Sequence, residues 1–240
     1  MIFYGLNVAA FKIPFPNLSD VWEDIRDECF RLEEADCFLP HNMQTGKDTW
    51  RTASIKGALG NWRLTDPAFY RHLPEMKSVS GPNIEDRLQY IDRWAYTELA
   101  TFCPATTKFC QEVEGAGAFM NGARFLKLEP SAAIRYHYDN NPHKEFRVTL
   151  GLSGLSEETF VLNTGPNKWE PIPMKEGEAW FVDISLGHCV YNMGKTDRYR
   201  LGLQYYSPTS DWMLEMFKQS EHVVYAEQLR INPPFQEGPI

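Results

Sequence analysis

From Gly122 onward the apolar residues recur at every second position, in short runs that restart about every ten residues. The first run is Arg124-Phe125-Leu126-Lys127-Leu128. A Glu129-Pro130-Ser131 turn separates it from Ile134-Arg135-Tyr136-His137-Tyr138-Asp139. Phe146 to Leu152, Thr159 to Leu162, Glu178 to Val182, His188 to Tyr191 and Tyr199 to Tyr206 follow, divided by Asn-Pro, Gly-Pro-Asn, Glu-Gly and Met-Gly-Lys turn signals. Short strands with one apolar face cannot each bury that face alone. The pattern therefore predicts a β-sandwich or jelly roll over residues 122–208.

The preceding 121 residues have a different period. Val21, Ile25, Cys29 and Leu32 recur at three or four positions after the capping residues Asn17 and Ser19, which predicts an amphipathic helix. Ile84, Leu88, Ile91, Ala95 and Leu99 repeat that spacing, and a shorter helix is expected from Thr106 to Val113, after Pro104 and before Gly115. Between them, about Pro40 to Gly81 reads as one long irregular segment. Ser210-Asp211 opens a terminal helix with Trp212, Leu214, Met216 and Phe217, so residues 209–240 read as helix and tail. With no internal repeat and no Ser- or Gly-rich linker, one domain is expected, its N-terminal helical part buttressing a β core.

Charge narrows the function. Twenty-four Lys and Arg against 32 Asp and Glu give −8, a field that opposes general binding of nucleic-acid backbones. Cys29, Cys37, Cys103, Cys110 and Cys189 form no CxxC pair and read as buried thiols in a reducing compartment. The start lacks a basic n-region, and no stretch of about 18 uncharged apolar residues occurs, so a soluble, cytoplasmic protein without a membrane partner is expected.

The chemistry lies in the β region. His137 and Asp139 are two apart in a predicted strand, so both side chains leave one face. Alone, such a pair is explained equally well by a solvated strand. His188 opens a later strand and supplies a second imidazole. Two imidazoles and one carboxylate make the facial ligand set of non-haem Fe(II) oxygenases, which leaves three coordination positions open. Ten residues on, beyond a turn at Gly194-Lys195, Arg198 returns on the neighbouring strand, where its fork can grip a dicarboxylate in bidentate fashion. Arg200 shares its parity and is the alternative anchor.

The ordered set of His137-x-Asp139, a strand with Arg147 and Leu150, Gly177-Glu-Ala-Trp-Phe-Val-Asp183, His188, Asn192 and Arg198 resembles the aspartyl/asparaginyl β-hydroxylase-like family of Fe(II)/2-oxoglutarate-dependent oxygenases. The resemblance spans Phe125 to Tyr206. It implies a double-stranded β-helix (jelly roll, cupin-like), with His137, Asp139 and His188 as catalytic metal ligands. It further implies that Arg198 holds the side-chain carboxylate of 2-oxoglutarate and that Arg147 approaches the other end. The expected activity is a dioxygenase reaction: hydroxylation of an unactivated C–H bond of an amino acid, free or within a peptide or protein, with dioxygen consumed and succinate and carbon dioxide released. Ascorbate is the expected in vitro reductant. Retention of Asp139 argues against halogenation. Desaturation or cyclisation with the same cofactors is the alternative outcome, and a non-catalytic jelly-roll module binding a small carboxylate or sugar is the rival from another class.

Three residues are candidates for substrate contact. Arg135 shares nominal parity with His137 and is placed to meet a substrate carboxylate. Gln44 to Arg63 carries Lys47, Arg51, Lys56 and Arg63 against Asp48 alone, and reads as a loop able to close over an anionic substrate, with Trp50 and Arg51 in contact. The bland alternative is a solvated loop whose tryptophans pack on the core. Asp183 and Asn192 are expected to shape turns, and Cys189 to point away from the metal. His41, His72, His143 and His222 have no ligand-like spacing.

Overall fold

In the computed structural model, which describes residues 2–3, 6–41, 49–65, 70, 72–76, 91–115, 119–139, 145–155, 158–206 and 211–227, fourteen strands and three α-helices follow one another along the chain. The strands are β1 (Ile2–Phe3), β2 (Leu6–Ile13), β3 (Leu39–Pro40), β4 (Trp50–Ala58), β5 (Trp94–Tyr96), β6 (Phe119–Leu128), β7 (Ala133–His137), β8 (Glu145–Ser153), β9 (Glu158–Gly165), β10 (Lys168–Pro171), β11 (Ala179–Val182), β12 (His188–Asn192), β13 (Arg198–Tyr206) and β14 (Val223–Tyr225). The helices are α1 (Leu18–Glu34), α2 (Pro104–Gly115) and α3 (Asp211–Gln219). None of them is long and apolar enough to cross a membrane.

Successive core strands alternate between two sheets. β6, β8, β11 and β13 lie in a ten-stranded sheet of order β1-β2-β11-β8-β13-β6-β4-β3, with β5 and β14 attached at its sides; β7, β9, β10 and β12 form a four-stranded sheet of order β10-β9-β12-β7. That winding is the double-stranded β-helix. Period two then decides what each strand shows to each side. On β13, Tyr199, Leu201 and Leu203 join the core beneath the helices, so Arg198, Arg200, Gly202 and Gln204 face the interior between the sheets. Leu128, Ile134, Phe160, Leu162, Val182 and Val190 fill that interior.

The first half departs from its helical reading. Trp50–Ala58 is a nine-residue strand paired with β6, so the segment from Pro40 to Gly81 is not uniformly irregular, and Leu6–Ile13 supplies a strand beside β11. Both strands are covered on both faces: β2 buries the consecutive residues Val8, Ala9, Ala10 and Phe11, and β4 buries polar Thr52, Ser54 and Lys56 among apolar neighbours, so neither shows a simple apolar alternation. The helix expected through Ile84 to Leu99 is absent where the chain is described: Ile91–Arg93 is a 3-10 turn and Trp94–Tyr96 pairs with β4. Ile84 and Leu88 lie outside the described residues. The sheet thus draws strands from both sides of residues 122–208. Helix α1 starts one residue after Asn17, which adopts a left-handed backbone (φ 64°) and makes no side-chain cap, while Ser19 lies inside the helix.

Glu28 locks the helical layer to itself. Its buried carboxylate accepts hydrogen bonds from the Ala105 N–H (2.7 Å), the Thr106 N–H (2.8 Å) and the Thr106 hydroxyl (2.6 Å), at the N-terminus of α2. A carboxylate there satisfies orphan helix donors and meets the positive end of the helix dipole. On the other side of α1, Trp22 lies against Gly177, whose φ is 75° and where an added Cβ would come within 3.1 Å of the indole ring. We expect Glu28→Ala to lower stability by about 2–3 kcal/mol, the cost of leaving buried donors unmet, and Glu28→Gln to lose less. Urea unfolding of the two variants checks this.

Candidate metal centre

The centre begins with one cross-strand pair. β12 runs antiparallel to β7 with His188 opposite His137, and the register shifts by one residue between this pair and Val190–Ile134. The bulge turns His137 inward beside His188, so the two ring centroids stand 4.2 Å apart. Asp139 follows just past the end of β7, where its N–H donates to the Ile184 carbonyl at 3.0 Å. His137 Nε2 is 3.6 Å from Asp139 Oδ1, and His188 Nε2 is 4.0 Å from Asp139 Oδ2. All three ligand atoms lie within 4.8 Å of one another.

Hydrogen bonds decide which nitrogen faces inward. His137 Nδ1 sits 2.6 Å from the Arg135 carbonyl and His188 Nδ1 sits 2.9 Å from the Leu186 carbonyl. A carbonyl only accepts, so each Nδ1 carries a proton and each Nε2 is the nitrogen turned toward Asp139, where the neutral ring would present its lone pair. Adjacent ligands on one ion at bond lengths near 2.1 Å stand about 3.0 Å apart, so closure on a divalent cation needs shifts of roughly 1 Å or less. The residues fit a facially bound divalent ion with three open positions.

Electrostatics sets the matching protonation states. Burial pushes the His188 pKa down to about 4, with His137 and Arg147 adding to the shift against the opposing Asp139 charge. Burial works to raise the Asp139 pKa, but Arg147, whose Nη1 is 2.8 Å from Oδ2, the two imidazoles and Arg124 hold it below the ordinary carboxylate range. A neutral imidazole and an ionised carboxylate at neutral pH are the forms that ligate metal.

Behind the triad lies a wall of buried groups. The Phe160 ring stacks on His188 at 5.6 Å and 8°, and the Arg200 guanidinium lies 5.4 Å over Phe160. Arg198 and Arg200 are both buried on the interior face of β13. The register orders them along the strand: Gln204 is opposite Arg147, which pairs with Asp139, Arg200 is opposite Gly151, and Arg198 is opposite Leu128. Asn192 shapes the turn that delivers Arg198, donating to the Leu128 and Thr196 carbonyls and accepting from the Gly194 N–H. Asp183 accepts from the Ser185 N–H and hydroxyl on the approach to His188. Cys189 faces outward, in a surface groove with Tyr136, Val161, Trp169 and Tyr191.

The substrate-contact expectations fare differently. The bulge breaks the alternation on which Arg135 was placed beside His137; Arg135 is exposed, and its carbonyl is what it offers the site. The described part of the expected Gln44–Arg63 loop is mostly strand β4, and Gln44 to Asp48 lie outside the described residues. Consecutive strand residues point to opposite faces, so Trp50 and Arg51 do not act together. Trp50 is buried toward the interior, with its ring 4.4 Å from that of His41, while Arg51 lies on the other face of β4. The sequence reading missed Arg124, Gln204 and His41. Arg124 and Gln204 had a signal, since both sit at inward-facing parity in their strands. His41 had none.

Residues 19–208 match the aspartyl/asparaginyl β-hydroxylase family. The chain belongs to that family. Membership supports an oxygenase of the Fe(II)/2-oxoglutarate, hydroxylase-like type. No curated protein matches the sequence. Among solved structures, similar folds include a Pseudomonas putida prolyl-4-hydroxylase (13% identity, 84% of this chain and 92% of that one, TM-score 0.47). An oxidoreductase of the 2OG-Fe(II) oxygenase family from Burkholderia pseudomallei is also similar (16% identity, 83% and 95% covered, TM-score 0.43). The jelly-roll description stands on the strand order above, and the family on the sequence match.

An imidazole held below its usual pKa of 6.5 resists protonation only when folded, so its effect is absent above that pH and grows as pH falls toward about 4. His41 is shifted in the same direction by burial, Arg124 and Arg147. Metal-free protein should lose stability across this window, up to about 3 kcal/mol of it through His188, and His188→Asn should show a shallower slope. Urea titrations at several pH values between 4 and 7 measure it.

Proposed function

We propose that the protein is an Fe(II)/2-oxoglutarate-dependent dioxygenase that hydroxylates an unactivated C–H bond of an amino acid, free or within a peptide or protein. The observation that carries this reading is the convergence of two Nε2 lone pairs and one carboxylate at the mouth of a jelly-roll interior, with guanidinium groups on the wall behind them. His137, Asp139 and His188 would hold the iron, and their Nδ1 contacts fix the ring orientations that such ligation needs. Iron(II), when bound with 2-oxoglutarate, supplies the dioxygen chemistry that yields the hydroxylated product, succinate and carbon dioxide.

The remaining work belongs to the chain. Arg198 takes the distal carboxylate of 2-oxoglutarate from deep in the interior, where its fork gives bidentate geometry. Arg200 lies over Phe160 and firms the wall that orients His188. Arg147 neutralises Asp139 and approaches the co-substrate's other end. Phe160, Leu162 and Val190 exclude water from the space between the sheets.

Anaerobic addition of 2-oxoglutarate to the Fe(II)-loaded protein should produce a visible charge-transfer band, and aerobic incubation should release succinate even without substrate. His137→Ala and His188→Ala should abolish both. Arg198→Lys should weaken 2-oxoglutarate binding by about 1.5–3 kcal/mol, the worth of a charge-assisted hydrogen bond. If Arg200→Lys shows that loss and Arg198→Lys does not, the anchor is Arg200. A wild-type protein that binds iron yet gives neither band nor succinate is a binding module, not an oxygenase.

A further inference from the structure

Of the eight large apolar or aromatic side chains exposed among the described residues, Tyr136, Tyr138, Trp169 and Tyr191 lie on or beside the outer face of the smaller sheet. Period two puts them there: His188 and Val190 point into the interior from β12, so Cys189 and Tyr191 point out. Tyr136 is the centre of the group. Its ring centroid stands 5.2 Å from that of Tyr138 at 71°, and 5.2 Å from that of Trp169 at 69°, both edge-to-face contacts. Its hydroxyl donates to the Tyr138 hydroxyl. Tyr138, Tyr136 and Trp169 thus form one contiguous array with Tyr136 in the middle.

Short covalent paths tie the array to the metal ligands. Tyr136 and Tyr138 flank His137, and Tyr138 precedes Asp139. The Tyr136 phenol also covers Gly187, where an added Cβ would strike the ring, and Gly187 precedes His188. Each of the three ligands is therefore one residue away from a ring of the array or from a residue that such a ring covers. Trp169 has no place at the metal itself, because it stands on the outer face of β10, at the opposite edge of the sheet from β7. Water reaches all three rings, which are 44–46% exposed. The groove beside them is lined by Tyr136, Val161, Trp169, Cys189 and Tyr191, so phenol, indole and thiol, the side chains that give up an electron most readily, make up all of it but one valine.

We infer that Tyr138, Tyr136 and Trp169 form an electron relay that drains oxidising equivalents from the metal centre to the surface when no substrate is present, and that Trp169 is the residue oxidised at its end. This rests on the oxygenase reading, because dioxygen reduced at the proposed iron site is the oxidant. In coupled turnover the substrate C–H bond supplies two electrons, and the relay is idle. Without substrate, 2-oxoglutarate and dioxygen take up two electrons and two protons from elsewhere to give succinate, carbon dioxide and water. The relay supplies those electrons one at a time. A phenol that loses an electron releases its proton to the water around it and regains both when the next ring refills it. At the end of the relay Trp169 and one water become hydroxytryptophan, two electrons and two protons, which closes the balance. The apolar interior, where a stranded oxidant would attack the chain at random, is spared.

The test uses full-length protein loaded with Fe(II) and 2-oxoglutarate and mixed with dioxygen, with no substrate and no ascorbate, which would supply the same electrons. Electron paramagnetic resonance of freeze-quenched samples should show an aromatic side-chain radical, and peptide mass spectrometry should find a gain of one oxygen at Trp169. Tyr136→Phe keeps the ring contacts and removes the oxidisable phenol; it should cut the Trp169 mark about five-fold or more. Trp169→Phe should leave the anaerobic charge-transfer band unchanged and prolong the tyrosyl radical, and it decides the matter if Tyr136→Phe does not fold. Met193, 68% exposed, reports any diffusible oxidant. The relay is overturned by a Trp169 mark that survives Tyr136→Phe, by a Met193 mark as strong as that at Trp169, by a radical no longer lived in Trp169→Phe, or by neither radical nor mark in a wild type that shows the band and releases succinate. Absence of both band and succinate in the wild type overturns the oxygenase reading itself, and the relay with it.

Discussion

The β7–β12 pairing puts His137 directly across from His188, and most of the site depends on that register. A slip of one residue would send either imidazole to the opposite face, since side chains alternate along a strand. Two features fix it. The bulge between Ile134 and His137 absorbs one residue and turns His137 inward. Gly187, just before His188, leaves room for Tyr136: an added Cβ there would lie 2.1 Å from the tyrosine oxygen. The same local geometry supplies the Arg135 and Leu186 carbonyls, which accept from each Nδ1–H and leave each Nε2 turned toward Asp139.

The second constraint is how an apolar interior accommodates charge. Arg198 and Arg200 are 2% exposed, and Arg147 and Arg124 line the approach to Asp139. Burying cations is costly unless each is compensated. Compensation here takes several forms: an ion pair for Arg147, an aromatic face for Arg200, and carbonyl and amide oxygens for Arg124. A space lined with this much positive charge favours anionic small molecules, which supports the proposed dicarboxylate co-substrate.

What the sequence disclosed follows from which interactions are local. The strands after Gly122 were legible because most have one apolar face toward a core, so period two survives in them, and α1 and α2 were legible through their apolar stripes and the Pro104 and Gly115 boundaries. β2 and β4 were hidden because helices cover one side and the jelly roll the other. The triad was legible because all its members lie at strand ends with fixed spacing. The parity argument for Arg135 did not hold, because a bulge is invisible to alternation, and His41 stayed hidden because only tertiary packing brings it to Arg124. Among the described residues, Ile91, Ala95 and Leu99 keep an apolar spacing of three to four yet fall in a 3-10 turn, a strand and a second 3-10 turn.

The account stands on His137, Asp139 and His188 holding one divalent ion. Crystals soaked anaerobically with Mn(II) and examined by anomalous diffraction test that directly. The account predicts a single strong peak within about 2.0–2.4 Å of His137 Nε2, His188 Nε2 and an Asp139 carboxylate oxygen, lost in His188→Ala crystals. A peak at other residues, or a well-ordered triad with no metal at saturating Mn(II), would contradict it.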